Sequence, residues 1–334
     1  MFVYLSKKVA LPSEAHQIRS ISWNKQEGYI AVGCEDGLLK VIKLEPPTVV
    51  SQNQPPRSDL TMNQTCEGHR SPISSVIWNE IHCKLTSSDS EGLIIVWTLH
   101  RNQWVEEMIN NRNKSPVSDM KWSSDGTKIC IGYEDGSVIV GSVEGNRVWG
   151  KDLSHKVKNL EWAPDGRTLL FATEEGRTYV YDGSGNQLCE LKLKCGNRST
   201  LAAIQWFNGA GYKSFAVDEF SNPSLCFAFE NGVMQLMRNE NDENPVVIDT
   251  GMAIKYLSWN HIGSILAVAG SHTQKGAVVQ FYTNLGIHMR TLGVPDAQAV
   301  TAVSWEGNGL RIALSVNSIL FFAKRCAPRE TIPQ

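Results

Sequence analysis

The chain has 334 residues, of which 20% are charged and 42% are hydrophobic, and its formal net charge at pH 7 is −2. Proteins that coat nucleic acid carry an excess of basic residues, so this balance argues against that class of function. No stretch of about 18 apolar residues occurs, and the opening MFVYL runs straight into Lys7 and Lys8. We therefore expect a soluble cytosolic protein with no signal peptide, no transmembrane segment and no nucleic-acid partner.

Seven tryptophans recur along the chain, each closing a short apolar segment and followed by a turn. Their spacing of about 40 to 55 residues is close to the roughly 40–45 residues of one four-stranded propeller blade. A large apolar ring at the end of an inner strand is typical of packing between blades, so we predict a structural role for all seven. The seven are Trp23, Trp78, Trp122, Trp162, Trp206, Trp259 and Trp305. They predict seven blades.

The segment after each tryptophan repeats one pattern of turn, strand, acidic turn with glycine, and second strand. After Trp122 the chain reads SSDGTKICIGYEDGSVIVGSV, in which two strands rich in Val and Ile flank the turn at 134–136. Glycine supplies the positive φ that tight hairpins require, and no window sustains the 3.6-residue period of a long helix. The fold class is therefore all-β, a seven-bladed WD40-type β-propeller. Two further tryptophans, Trp104 and Trp149, fall on outer strands, where they either cover a neighbouring strand or anchor a partner.

The last repeat is incomplete, and the start of the chain supplies what it lacks. After Trp305 come RIALSV and SILFFA and then KRCAPRETIPQ, with no fourth strand, whereas FVYLSKKV at residues 2–9 forms a strand that belongs to no blade. We predict that residues 2–8 pair with the strand at about 318–323 and close the ring, because closure removes two aggregation-prone edges. The expected organisation is one propeller over 1–323 and a tail over 324–334.

The sequence contains no arrangement of residues that predicts catalysis. It lacks the phosphate-binding G-x-x-x-x-G-K-S/T loop, the His-Glu-x-x-His zinc motif and the G-x-S-x-G nucleophile elbow. The eight cysteines are scattered with no Cys-x-x-Cys pair, and the eight histidines show no metal-ligand spacing, so we expect free thiols and singly bonded or solvated imidazoles. We expect no catalytic residue, no cofactor, no metal, and a protein that is not an enzyme.

The turns between the second and third strands of the blades are acidic and would meet on one face of the ring. An enzyme could use them as paired carboxylates, but the loops that lead into the blades share this face and are basic. We therefore favour solvated turns with local ion pairs, each worth about 0–1 kcal/mol. The acidic residues are Glu35, Asp36, Glu91, Glu134, Asp135, Glu174, Glu175 and Glu230, and the basic ones are Arg70, Arg112, Lys114, His155, Lys156, Lys158 and Arg198.

Two long insertions, residues 44–60 and 207–224, open onto the opposite face. The first is rich in Pro, Ser and Gln, which favours a disordered linker. The second carries aromatic residues beside the acidic connection 238–244, and interfaces combine apolar anchors with charge steering in this way. A tolerated surface insertion is the alternative. We predict partner binding by Tyr212, Phe215, Phe220, Glu240, Asp242 and Glu243.

One repeat resembles the WD-repeat family closely enough to compare residues. Gly68-His69 before the second blade is followed 28 positions later by Trp97, which is similar to the Gly-His to Trp-Asp spacing of that family. The resemblance implies a hydrogen-bonded lattice of His69, a serine of LTSS, Glu91 and Trp97. Thr98 stands where the family has aspartate, Glu91 replaces the usual turn aspartate, and the other blades lack Gly-His, so the repeats are degenerate.

Longer stretches resemble the WD-repeat subunits of intraflagellar transport complex A, in their amino-terminal propeller, over about residues 1–323. They are WVEEMINNRNKSPVSDMKW, NPVVIDTGMAIKYLSWNHIGSILAVAG, VVQFYTNLGIHMRTL and VSWEGNGLRIALSVNSILFFA. The resemblance implies a non-enzymatic scaffold for protein–protein interaction in retrograde transport, cilium assembly and entry of membrane proteins into cilia. Its implied partners are other complex A subunits and ciliary membrane cargo or its adaptors. Its implied locations are the cytoplasm, the cilium or flagellum, the basal body and the axoneme.

The same resemblance implies further domains, because proteins of that family carry a second propeller and a helical solenoid after this one. We therefore expect an amino-terminal fragment or a truncated form, with KRCAPRETIPQ departing from the family pattern. The alternatives are the propeller of a tubby-like protein, a ubiquitin-ligase substrate receptor or a subunit that resembles a vesicle coat. A peptide reader would need a ring of aromatic or like-charged residues in the central pore, and an enzyme would need convergent titratable groups there.

Overall fold

The computed structural model describes residues 2–12, 16–44, 60–112, 115–195, 199–207, 223–295 and 297–326. Regular structure within these ranges consists of 28 β-strands. The described part contains no helix, and therefore none that is long and apolar enough to cross a membrane.

The strands form seven four-stranded antiparallel sheets, and six of them use four consecutive strands. Blade 1 contains β2 (Ile18–Trp23), β3 (Tyr29–Cys34), β4 (Leu39–Leu44) and β5 (Leu60–Cys66). Blade 2 contains β6 (Ile73–Asn79), β7 (Lys84–Asp89), β8 (Leu93–His100) and β9 (Gln103–Asn111). Blade 3 contains β10 (Val117–Trp122), β11 (Lys128–Tyr133), β12 (Ser137–Ser142) and β13 (Arg147–Asp152).

The next three blades follow the same order, from the innermost strand outward. Blade 4 contains β14 (Asn159–Trp162), β15 (Thr168–Ala172), β16 (Thr178–Asp182) and β17 (Gln187–Leu191). Blade 5 contains β18 (Leu201–Trp206), β19 (Leu225–Phe229), β20 (Val233–Met237) and β21 (Val246–Asp249). Blade 6 contains β22 (Ala253–Trp259), β23 (Ile265–His272), β24 (Gly276–Thr283) and β25 (His288–Gly293).

Blade 7 is built from both ends of the chain. Its strands are β26 (Ala302–Trp305), β27 (Arg311–Val316), β28 (Ile319–Cys326) and, on the outside, β1 (Phe2–Ala10). Strand β1 runs antiparallel to β28, with Val3 opposite Arg325 and Val9 opposite Leu320. The seven-bladed fold and its closure by the amino-terminal strand are confirmed. Closure leaves no blade without its fourth strand.

The hydrophobic core is divided among the seven interfaces between neighbouring blades. Each buried cluster combines side chains of two adjacent blades, and each of the seven pairs has one cluster. The second strands lie between two such clusters, which explains their continuous apolar runs: β3 (YIAVGC) and β19 (LCFAF) are buried at every position. The outer strands face solvent, and four of five residues of β17 are exposed.

The acidic turns adopt the hairpin geometry that their glycines predict. Gly136 has φ of +87°, and a Cβ there would lie 3.2 Å from the carbonyl oxygens of both Leu153 and His155. Any other residue would be strained by its backbone conformation and crowded by that neighbouring loop. Glycine thus lets the turn of blade 3 approach the connection into blade 4.

Candidate docking site on the propeller faces

Antiparallel strands divide the connections of a propeller between its two faces. The second-to-third-strand turns and the loops between blades lie on one side, which we call the acidic-turn face. The first-to-second and third-to-fourth connections lie on the other side, which we call the insertion face; it includes residues 24–28, 79–83, 238–244, 260–264, 284–287 and 306–310.

The repeated tryptophans lie at the interfaces between blades. All seven are at most 9% exposed. Four of them donate their indole N–H to the backbone carbonyl of the residue that precedes the tryptophan of the previous blade, over 2.9 to 3.4 Å. These pairs are Trp78 with Ser22, Trp162 with Lys121, Trp259 with Gln205, and Trp305 with Ser258. The arrangement supports the predicted structural role, since each ring joins two blades by packing and by a hydrogen bond.

The other three tryptophans depart from this rule. Trp122 donates to the hydroxyl of Thr86 over 3.1 Å, and Trp206 donates to the hydroxyl of Ser224 in its own blade over 3.2 Å. The indole nitrogen of Trp23 is buried without a partner in the described part of the chain. Its ring instead meets Phe322 edge to face at 5.6 Å. Trp23 belongs to the junction at which the ring closes.

The two tryptophans on outer strands cover neighbouring strands. Trp104 is 2% exposed, and its ring lies 5.3 Å from that of Tyr29 and 5.1 Å from that of Trp78. The indole of Trp149 donates to the carbonyl of Gly183 in the next blade over 2.9 Å. Both positions are occupied by contacts within the protein, so neither ring projects as an anchor for a partner.

The lattice of blade 2 forms, with one change of residue. The ring of His69 lies 2.7 Å from the hydroxyl of Ser87 and 2.8 Å from the carboxylate of Asp89, and the indole of Trp97 donates to the same hydroxyl over 2.9 Å. The expectation that Glu91 supplies the carboxylate is wrong. Asp89, at the end of β7, is buried and within reach of the imidazole, and its other oxygen accepts the backbone N–H of Glu91.

Inner-strand side chains form a second set of bonds between blades. The N–H of Val76 donates to the Ser20 hydroxyl over 3.1 Å. The N–H of Leu160 donates to Asp119 at the equivalent place of another junction. At three further junctions the residue before one tryptophan accepts the N–H of the next tryptophan: Trp23 N–H donates to Ser304, Trp259 N–H to Gln205, and Trp206 N–H to Glu161. Serine, glutamine and carboxylate side chains make the same bond at equivalent places. The inner-strand carboxylates therefore act as backbone acceptors, and this explains them without a catalytic role.

One of these acceptors is an unusual acid. Glu161 is 4% exposed, and burial raises the pKa of its carboxyl to about 8, while Lys121 opposes the rise and Asp119 adds to it. Lys121 lies 3.8 Å from Asp119, whose carboxylate raises the pKa of that lysine. Sequence reasoning missed this group, although four of the other six blades have Ser or Gln at the position before the tryptophan, and an acid there is a departure that marks it.

The mouth of the central channel on the insertion face opens into a cavity of about 1490 Å³. Its lining mixes the cations Lys25, Lys128 and Arg167 with the anions Glu80, Asp125, Asp165 and Glu240. Glu80 also ties the first two blades together, because its carboxylate accepts the backbone N–H groups of Lys25 and Gln26. A peptide reader would require charges of one sign or a ring of exposed aromatic residues. The charges are mixed, and the lining tryptophans Trp78, Trp122 and Trp206 are at most 9% exposed, so the lining does not support a peptide reader.

The acidic-turn face carries the local ion pairs expected from the sequence. Arg19 lies 3.3 Å from Glu35, Arg112 3.2 Å from Asp135, Lys158 3.9 Å from Glu174 and Lys255 3.0 Å from Glu230, and His16 contacts Asp36. Pairing of opposite charges leaves no strong field of one sign at these turns. Each pair contributes little to stability.

The predicted partner-binding residues fall into two groups. Tyr212, Phe215 and Phe220 lie outside the described residues, and so does most of the 44–60 insertion. Asp242 is only 4% exposed at its side chain, and it accepts the backbone N–H of Arg238 and pairs with the guanidinium at 2.9 Å. It therefore holds the 238–244 loop together. Partner binding by all six residues stays a prediction.

The remaining acids of that loop are more available. Glu240 lines the channel cavity, and neither the carboxylate of Glu240 nor that of Glu243 has a cation within 4.0 Å in the described part of the chain. The Lys194 ammonium donates to the backbone carbonyl of Glu243 over 2.7 Å. Two carboxylates thus remain for a partner on this side of blade 5.

Exposed aliphatic side chains on the same face escaped the sequence reasoning. Ile262, Leu285, Ile287 and Leu310 are 58%, 53%, 62% and 50% exposed, and all lie in turns of blades 6 and 7. Turns favour polar residues, so four large aliphatic side chains there are the signal that could have been found.

The described residues offer no metal centre, since no cluster of three or more His, Cys, Asp or Glu among them could hold an ion. Seven of the eight cysteines are described as free thiols by the structure, among them the exposed Cys189 and the buried Cys130 and Cys226. Burial raises the pKa of the thiols of Cys34 and Cys66 to about 12. Such thiols are poor nucleophiles and poor ligands.

Comparison with known proteins agrees with this architecture. Residues 1–325 match the family described as WDR35/TULP4 N-terminal, a β-propeller. The chain is 50% identical to WD repeat-containing protein 35 of Homo sapiens and 51% identical to that of Rattus norvegicus, over 97% of the chain and 28% of each relative. It is 29% identical to tubby-related protein 4 of Mus musculus over 90% of the chain and 21% of that protein. The chain thus spans little more than a quarter of the length of the WD repeat-containing relatives and about a fifth of tubby-related protein 4, and it belongs to the WDR35/TULP4 N-terminal β-propeller family.

Proposed function

We propose that the protein is a non-enzymatic interaction scaffold and acts as a subunit of intraflagellar transport complex A. One observation carries the proposal: half of its residues are identical to WD repeat-containing protein 35 across 97% of the chain. The lower identity of 29% to tubby-related protein 4 makes the tubby-like alternative second. The rigid ring supports a scaffold, because two faces and a rim can each hold a separate partner.

The proposal places the protein in the cytoplasm and in the cilium or flagellum, at the basal body and along the axoneme. Its partners are other complex A subunits and, directly or through adaptors, ciliary membrane cargo. Its processes are retrograde transport, cilium assembly and the entry of membrane proteins into cilia. The inner-strand carboxylates support a role without catalysis, because each is engaged by a backbone N–H of the next blade.

Within this proposal the insertion face is the docking face. The 207–224 insertion and the 238–244 loop both open there, and the carboxylates of Glu240 and Glu243 have no paired cation in the described part. The acidic turns of the other face are largely paired with local cations, which leaves them less to offer a partner. We assign docking to Tyr212, Phe215 and Phe220 with Glu240 and Glu243, and a supporting role in the loop to Asp242.

The test compares variants of the full-length protein in ciliated cells. One variant replaces residues 208–222 by a short Gly-Ser linker and so keeps Phe207 and Ser224, and a second carries Glu240→Lys and Glu243→Lys. The control is Glu144→Lys, an exposed acid in a turn of blade 3 on the same face. After a melting curve confirms folding, we expect both variants, but not the control, to lose co-purification with complex A subunits and ciliary localisation. Undiminished assembly and transport would contradict docking at this face and favour the acidic-turn face.

A further inference from the structure

Four exposed aliphatic side chains gather on the insertion face of two adjacent blades. Ile262 lies in the first turn of blade 6, Leu285 and Ile287 lie in its third-to-fourth-strand turn, and Leu310 lies in the first turn of blade 7. Of the other exposed large hydrophobic residues described, most are single side chains on outer strands, such as Ile109 and Leu188. We call the group of four the aliphatic patch. Exposed apolar groups that cluster in this way mark interaction sites.

The turns that carry the patch are held together, so their relative positions are fixed. The N–H of Asn284 donates to the carbonyl of Ser264 over 3.2 Å and joins the two turns of blade 6. Gly309, beside Leu310, packs so closely on the His261 ring that a Cβ would lie 2.2 Å from its Nδ1. A surface held by such contacts needs little ordering when it binds a partner.

The blade 5 side of the patch is also preorganised. Gly263 packs on the ring of Phe207, and Gly286 packs on Ile248, where Cβ atoms would lie 2.6 and 2.5 Å from the neighbouring side chains. Both neighbours belong to blade 5, the blade that carries the 238–244 loop. The aliphatic patch therefore adjoins the loop that presents Glu240 and Glu243.

The charges beside the patch differ between its two ends. The blade 5 end carries Glu240 and Glu243, whose carboxylates have no cation within 4.0 Å in the described part of the chain, although the Lys194 ammonium contacts the backbone carbonyl of Glu243. At the blade 7 end the backbone N–H of Arg325 donates to the carbonyl of Leu310, which brings a cationic residue there. Basic residues of a bound segment would be attracted to the carboxylates of blade 5 and repelled by the arginine of blade 7.

We propose that the aliphatic patch binds a segment of a partner protein that presents aliphatic side chains next to lysine or arginine, with the basic end over blade 5. This inference rests on the scaffold function proposed above and specifies the chemistry of the partner. The apolar side chains supply burial, and Glu240 and Glu243 set the orientation by pairing with the basic residues. An anionic membrane is disfavoured, because the two carboxylates would face its headgroups.

The test uses the 334-residue protein and a synthetic peptide of about 20 residues that forms a helix with leucines on one face and lysines on the other. Fluorescence anisotropy measures its binding. We expect the pair Leu285→Ser and Ile287→Ser, and separately the pair Glu240→Lys and Glu243→Lys, to weaken binding about tenfold or more. The matched controls are Leu188→Ser on the outer strand of blade 4 and Glu144→Lys in blade 3, which should bind as the wild type does. All six positions are surface residues, so each variant should melt like the wild type.

Several results would overturn the proposal. Equal binding by patch variants and controls would show that the patch is not the site, and equal binding of a peptide with glutamates in place of lysines would remove the charge argument. Sedimentation could show that the wild type forms a dimer and that the variant with Leu285→Ser and Ile287→Ser does not. In that case the occupant of the patch would be a second copy of this chain. Flotation of the wild type, but not of that variant, with phosphatidylserine vesicles would make the occupant a membrane. The patch variants could lose peptide binding as expected while the wild-type protein fails to assemble with complex A subunits. That result would contradict the proposed transport function and leave the patch as a binding site.

Discussion

At the scale of single residues, the tryptophan at the end of an inner strand joins its blade to the previous one. Trp122 is 9% exposed and donates its indole N–H to the hydroxyl of Thr86 over 3.1 Å. Replacing it by alanine should leave a cavity between blades 2 and 3. We expect Trp122→Ala to lower the free energy of unfolding by about 3–5 kcal/mol, measured by denaturant titration.

Trp122→Phe serves as the control, because it keeps an aromatic ring and loses the indole N–H. Trp122→Phe should lower the free energy of unfolding by less than Trp122→Ala does. Binding of partners per folded molecule should be unchanged in both. Wild-type stability of Trp122→Ala combined with loss of a partner would show that the tryptophan is a binding residue.

Glu161 makes the stability of the protein depend on pH. Burial raises the pKa of its carboxyl to about 8, far above the value in an unfolded chain. Between those two values the folded form holds a proton that the unfolded form has released, so stability falls as pH rises, by up to about 1.4 kcal/mol per pH unit from this group. Below the unfolded pKa the contribution no longer changes.

The prediction is that Glu161→Gln flattens the fall in stability between about pH 5 and pH 8. The amide oxygen can still accept the N–H of Trp206, so the variant should fold. Denaturant titrations at several pH values measure the slope, and Glu190→Gln, at an exposed position of the same blade, should keep the wild-type slope. An identical slope in Glu161→Gln would mean that the buried carboxyl is already ionised at neutral pH.

At the scale of elements, β1 completes blade 7 without being joined to it by a hairpin. Its pairing with β28 runs from Phe2 opposite Cys326 to Ala10 opposite Ile319. Deleting residues 1–9 should expose the edge of β28 and the cluster that contains Val3, and the melting temperature and the soluble yield should fall sharply.

Deleting the eight residues 327–334, which lie beyond the last described strand, is a control of nearly equal length for this experiment. It should leave both quantities near their wild-type values. A melting curve of the 1–9 deletion that overlays the wild type would contradict ring closure as a source of stability.

The elements could be predicted because their signals are local. A run such as LCFAF in β19 or an acidic turn such as 134–136 announces a buried strand or a hairpin through its own residues. The lattice could be predicted only in part. Asp89, the last residue of β7, rather than Glu91 two positions later, reaches His69, and only the register of blade 2 decides between them.

The docking surface was harder to predict because it depends on which turns are neighbours. Ile262, Leu285 and Leu310 are far apart in sequence, and no local pattern reveals that their turns are tied to each other on one face. The pKa of Glu161 also depends on surroundings that three blades supply: burial raises it and Asp119 adds to the rise, while Lys121 and the N–H of Trp206 lower it. Sequence patterns predict elements well and assembled environments poorly.

At the scale of the whole molecule, the ring has one junction that differs from the others. Blades 7 and 1 meet where the chain closes, and there the indole nitrogen of Trp23 has no partner in the described part of the chain. The insertion-face turns compensate by close approach, since a Cβ at Gly307 would lie only 1.7 Å from the carbonyl oxygen of Lys25. Such a distance is far below van der Waals contact, so the junction depends on glycine at this place.

Gly307→Ala should therefore loosen the closure of the ring. The added methyl group must push the backbone of residue 25 away, at a cost of about 1–3 kcal/mol. In a ring whose blades contact only their neighbours, the damage should remain local, so amide hydrogen exchange should speed up in β1, β28 and β2 and stay unchanged in β14–β17 of blade 4. Gly293→Ala is the matched control, because a Cβ there meets no atom within 4 Å, and it should exchange like the wild type. Equal protection in both variants would show that closure of the ring does not depend on Gly307, and a loss spread evenly over all blades would show that the damage is not local.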